Sequence, residues 1–149
     1  MKKTYQILAA ICLCFILFSC EKSDFWTEGE YYHLEHKKAI LPIWVKGNID
    51  SGVFIFTIHG GPTAASGHEF ALSPGFQELE KDYALVYWDQ RESGIAQGKP
   101  QDEGHSLEQY TEDARYVFQF IQEKYRPSDI FLMGHSWGGA IGHSLLLEE

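Results

Sequence analysis

Gly134-His135-Ser136-Trp137-Gly138 sets a serine between two glycines, and Gly139 follows directly. This is the G-x-S-x-G spacing of a nucleophile elbow, which serves attack by a hydroxyl on an acyl carbon. The glycines are needed on steric grounds. A serine on a tight strand-to-helix turn stands clear of the backbone only if its neighbours carry no Cβ. A helix that starts directly afterwards aims its first amides and its positive dipole end at the reacting centre. The Trp137 amide is then placed to stabilise a developing oxyanion. His59-Gly60-Gly61-Pro62 is a second glycine-rich loop, and a glycine amide there supplies the second donor that a full charge on one oxygen calls for. Gly61 is favoured over Gly60 for that task.

These loops need rigid elements behind them. Val53–Ile58, Ala84–Trp88 and Ile130–Met133 are nearly continuous apolar runs, as strands buried on both faces should be. They lead into HGGP, into Asp89-Gln90-Arg91 and into the serine turn respectively. Ser73-Pro74 opens a short helix running to about Lys81. Ser106 and Gln109 form a capping box. Leu107, Tyr110, Ala114, Val117, Phe118 and Ile121 then recur at helical spacing, which predicts a helix over 107–125, ended by Pro127. The stretch from Ala140 to Leu147 is apolar and helix-competent. Upstream, 31–36 and 39–47 read as strands, with Pro42 placing part of the second at a sheet edge or a bulge. Strands alternating with helices mean a parallel sheet covered by helices, with sites at the carboxyl ends of its strands.

The 149 residues suffice for about one domain. Hydrophobic residues make up 44% and charged residues 22%, which excludes disordered, collagen-like and coiled-coil chains. Twelve basic residues face 21 acidic ones, giving a net charge of -9 with no Lys/Arg cluster, so nucleic acid is excluded as a partner. Lys2 and Lys3 precede the uncharged run Ile7–Phe18, which is too short to span a bilayer and has the flanks of a secretory signal. All three cysteines (Cys12, Cys14, Cys20) lie in this N-terminal segment. The body therefore has no disulfide and no thiolate metal site, and no cofactor or metal is expected.

Leu17-Phe18-Ser19-Cys20 at the end of the apolar run resembles the cleavage site of a bacterial lipoprotein signal. The resemblance implies a signal peptide over 1–19, lipid on Cys20, a tether over 20–30, and anchoring of the exported protein to the bacterial cell envelope. Residues 31–149 carry HGGP, DQR and GHSWGG in an order that resembles the α/β-hydrolase superfamily, closest to the proline iminopeptidase-like serine hydrolases. That likeness implies the N-terminal part of an α/β-hydrolase fold: a mostly parallel sheet, helices on both faces, incomplete at this length. It implies Ser136 as nucleophile and the amides of Gly61 and Trp137 as oxyanion hole. The substrate would be a small molecule or short peptide with an ester or peptide-amide bond. Thr63 and Glu92 stand where those peptidases usually have glycine, which leaves aminopeptidase specificity open.

Superfamily triads run Ser, then Asp or Glu, then His. After Ser136 the only histidine is His143, about 10 Å further along a helix axis and out of reach of the serine proton. His59 and His135 belong to motifs, while His68 and His105 read as surface loop residues. Asp89 most simply pairs with Arg91 or caps its loop. The expectation is the N-terminal part of a longer hydrolase, inactive alone, with acid and base supplied elsewhere. The alternatives are a carboxylesterase or lipase, and a non-catalytic lipid-anchored binding domain.

Overall fold

A computed structural model describes residues 28–63, 65–99 and 105–147. The signal peptide, Cys20 and most of the tether lie outside the described residues. Two antiparallel strands open the fold, β1 (Glu30–His36) and β2 (Ala39–Gly47), with His36 opposite Ala39. The two residues between them, Lys37 and Lys38, both have positive φ (47° and 64°), which matches the right-handed twist of a tight hairpin. Next come β3 (Val53–Ile58), a 3-10 turn (Gly67–Leu72), α1 (Pro74–Leu79) and β4 (Ala84–Trp88). After a two-residue strand β5 (Gln97–Gly98) the chain continues through α2 (Leu107–Tyr125), β6 (Asp129–Gly134) and α3 (Trp137–Leu147).

The sheet order is β1-β2-β4-β3-β6, with β5 beside β2. It is mixed: β4, β3 and β6 run parallel, while β2 is antiparallel to β1, β4 and β5. Register decides which side chains share a face. Phe54 lies opposite Ala84 and Ile130, and Phe56 opposite Val86 and Leu132. That face is covered by Tyr110, Ala114, Val117 and Ile121 of α2 and by Ile141 and Leu145 of α3, forming the main core. On the other face Trp44, Ile55, Leu85 and Tyr87 pack with Ala71, Phe70, Phe76 and Leu79 in a smaller cluster. Helices cover both faces, as expected. On that second face Ile55 is 7% exposed, yet Phe131, its register partner on β6, is 61% exposed.

Pro42 is a correction. It sits inside β2, an interior strand, rather than at an edge. In extended backbone a residue's N and C=O point to the same side, and the Pro42 carbonyl accepts from the Asp89 amide (3.1 Å). The proline nitrogen lies on that same side with no hydrogen to return, and the pairing of β2 with β4 stops at Ile43, one residue short of it. Helix α2 has the bounds its periodicity predicts, and the Ser106 hydroxyl accepts from the Gln109 amide at 3.3 Å. The Gln109 side chain turns to Asp113 instead of back to Ser106, so the capping box is half made.

Candidate active site

Between the end of β6 and the start of α3 the chain turns within two residues, and Ser136 holds φ +53°. A non-glycine residue pays for that backbone, and such strain persists only where its surroundings over-determine it. Here the neighbours do. A Cβ on Gly134 would sit 2.5 Å from the Gly138 carbonyl oxygen, and one on Gly138 only 2.1 Å from that of Ile58. Both obstacles are backbone and cannot swing aside. The His135 amide donates to Ile58 O (3.0 Å), and the Gly138 and Gly139 amides donate to His135 O and Ser136 O (2.9 Å each). The serine is left exposed at the carboxyl end of the parallel strands.

The HGGP loop lies against this turn, with Gly60 buried at its contact and Gly61 at φ +50°. Trp137 opens α3, where a helix amide has no intrahelical acceptor. The residues that the sequence singled out thus share one end of the sheet. Thr63 and Glu92, the two positions with a residue in place of an expected glycine, keep left-handed backbone (φ 66° and 57°). Thr63 is held there by its amide, which donates to Ser93 Oγ (3.0 Å).

The loop after β4 braces the site. The Gln90 amide donates to His59 Nε2 (3.0 Å), and His59 Nδ1 donates to the Gly60 carbonyl (2.8 Å). Both ring nitrogens are committed to holding the loop. Burial pushes the His59 imidazole below its usual range, against smaller upward pulls from the Gly60 carbonyl and the Asp89 charge. Asp89 caps its loop and does not pair with Arg91. Its fully buried carboxylate accepts from Ser66 Oγ (2.7 Å), Gly67 N (2.8 Å) and Ile95 N (2.8 Å). Desolvation alone would raise its pKa. His68, the Ile95 amide and the Ser66 hydroxyl outweigh that and hold it below the usual carboxylate range. Arg91 instead makes a buried fork to Asp113 on α2, at 2.5 and 2.7 Å, and His36 Nδ1 reaches the same carboxylate (2.8 Å).

Asp113 and His36 were not anticipated. A signal existed: an acidic residue beside Ala114, on the apolar stripe of α2, needs a buried cation. His68 is likewise corrected from surface loop to buried, at 7% exposure. His105 pairs with Glu92 on the exposed rim, and His143 is exposed on α3. Among the described residues no hydrogen bond joins Ser136 to an imidazole or a carboxylate.

The chain is 31% identical over 94 residues to the probable aminopeptidase YbaC of Bacillus subtilis (strain 168), matching 62% of this chain and 29% of that protein. It is 28% identical over 93 residues to a lysophosphatidylserine lipase of Danio rerio, matching 62% of this chain and 22% of the lipase. A proline iminopeptidase-related protein from Thermus thermophilus superposes with a TM-score of 0.63 at 24% identity, over 80% of this chain and 40% of that one. The chain thus spans under a third of each curated relative and about two-fifths of the solved structure. The family model for serine aminopeptidase, S33, matches residues 70–149, which take in the β4 loop, α2 and the whole serine turn. With over half of its length matched, the chain belongs to the serine aminopeptidase (S33) family, within the α/β-hydrolase superfamily.

Proposed function

We propose that Ser136 is the nucleophile of a serine hydrolase that cleaves an ester or peptide-amide bond in a small molecule or short peptide, in the manner of the proline iminopeptidase-like enzymes. One observation carries the reading: an exposed serine held at φ +53° between a parallel strand and a helix, by glycines that no larger residue could replace. In this reading the Ser136 hydroxyl attacks the acyl carbon, and the amides of Gly61 and Trp137 receive the oxyanion. A serine hydroxyl needs a base to take its proton. Among the described residues no imidazole or carboxylate is hydrogen-bonded to Ser136, and the chain spans under a third of each curated relative, so this reading takes the acid and base of the triad from outside the described residues. The 149 residues alone are accordingly inactive. Lipid on Cys20 and anchoring of the exported protein to the bacterial envelope belong to the same proposal and rest on the N-terminal sequence.

A fluorophosphonate probe applied to the whole protein tests the nucleophile. Labelling is expected with Ser136 and is lost in Ser136→Ala; labelling that survives the substitution overturns the assignment. Cys20→Ser is expected to move the protein out of the membrane fraction, and a variant that stays there overturns the anchor. Peptide-amide and acyl-ester substrates compared side by side separate an aminopeptidase from an esterase or lipase.

A further inference from the structure

We propose a second ligand site on the face opposite α2, a pocket that takes a small aliphatic amine in its cationic form. It is centred on a relay of three residues from three elements: Tyr31 on β1, His68 in the 3-10 turn and Asp89 after β4. The Tyr31 hydroxyl lies 2.5 Å from His68 Nε2, and His68 Nδ1 lies 3.1 Å from Asp89 Oδ1. Exposure falls along the chain, from 41% at Tyr31 to 7% at His68 and none at Asp89. The enclosure of Asp89 depends on two glycines. A Cβ on Gly94 would sit 2.1 Å from Asp89 Oδ2, and one on Gly67 2.1 Å from the Trp88 carbonyl oxygen.

His68 Nδ1 sits within ion-pair distance of the Asp89 carboxylate without a hydrogen bond to it, and where Nε2 is the acceptor the Tyr31 O–H points at the ring. The Tyr31 oxygen then offers its lone pairs outward. The phenol stays protonated, since burial and the Asp89 charge push its pKa up to about 12.

The relay opens into a pocket of about 340 Å³ lined by Tyr31, Ser66, His68, Glu69, Leu72 and Ile95, together with Gly94. That volume is at the small end of ligand sites. Leu72 and Ile95 expose 53% and 55% of their surface here, giving apolar walls. Glu69 adds an exposed carboxylate, and no lysine or arginine lines the pocket. An acceptor oxygen, a carboxylate and two aliphatic walls match an ammonium group on a short hydrocarbon. Ser136 takes no part, so the site stands or falls independently of the proposed hydrolysis.

The test is NMR titration of the whole chain carrying Ser136→Ala with leucinamide at pH 6.5, with N-acetyl-leucinamide as the neutral control. The His68 ring signals, assigned with His68→Gln, are expected to shift saturably with leucinamide and to ignore the acetylated probe. Tyr31→Phe and Glu69→Gln should each weaken binding about tenfold, the worth of a charge-assisted hydrogen bond. Glu69 is exposed, so its variant keeps the test sound if Tyr31→Phe lowers stability. Unsaturable shifts, equal response to the acetylated probe, or wild-type affinity in Glu69→Gln would overturn the site and leave the relay as a loop staple.

Discussion

A Cβ built on Gly60 would lie 3.1 Å from the Cβ of Ser136 and 3.0 Å from His135 Nδ1. The HGGP loop and the serine turn are therefore in direct contact, closer than ordinary side-chain packing allows. Gly60 does not have positive φ, so alanine adds bulk there without backbone strain. Gly60→Ala should push the turn by a few tenths of an ångström. Reaction geometry is sensitive to shifts on that scale, so fluorophosphonate labelling of Ser136 is expected to slow by about tenfold. Stability should change by less than about 1 kcal/mol. Labelling at the wild-type rate would mean that the contact is slack.

Strain at the serine should be measurable as stability. Left-handed backbone costs a residue with a Cβ about 1–2 kcal/mol, and glycine escapes that cost. Ser136→Gly is expected to raise the unfolding free energy by about 1 kcal/mol, while Ser136→Ala keeps the Cβ and stays near wild type. Both variants lose labelling. If glycine brings no gain over alanine in chemical denaturation, the turn is relaxed and the strain argument fails.

Helix α2 and strands β3, β4 and β6 were legible because each has a strong local signal, a 3.6 period or an unbroken apolar run. The serine turn was legible because its glycines answer a local steric need. Loop capping by Asp89 was one of the two roles the sequence offered and is the one found, whereas Arg91 and His68 were not legible, because their partners come from other elements: Asp113 on α2 for Arg91 and Tyr31 on β1 for His68. Pro42 misled because the rule against proline in interior strands assumes a neighbour at every position. Here the pairing with β4 stops one residue short of Pro42.

Arg91 and Asp113 form a fully buried pair tying the β4 loop to α2. Removing one partner strands the other charge, which costs about 3–5 kcal/mol. Arg91→Met is expected to destabilise by that amount, eased in part by His36 beside Asp113. Replacing both, with Arg91→Met and Asp113→Leu, should recover most of the loss. A double variant as unstable as the single one would show that the loop needs the fork itself rather than charge neutrality.

Acid should weaken the fold in two separable steps. The His59 imidazole is held below its usual range, mainly by burial. Above about pH 6.5 it is neutral in both folded and unfolded chains and gives no pH dependence. Below that value the unfolded chain takes up a proton that the folded one refuses, so stability falls toward the folded pKa. The slope approaches at most about 1.4 kcal/mol per pH unit for one proton. Asp89 is also held below its usual range, so its contribution is present above about pH 3.9 and is lost only below it. Thermal melts between pH 7.5 and 3 should therefore show a first decline starting near pH 6.5 and a second near pH 4. His59→Gln, which keeps an acceptor for Gln90 and a donor for Gly60, should flatten the first step and spare the second. Asp89→Asn should do the reverse, at a lower overall stability, because its amide cannot accept every hydrogen bond the carboxylate holds. If His59→Gln leaves the first decline unchanged, the buried imidazole is not what acid attacks first.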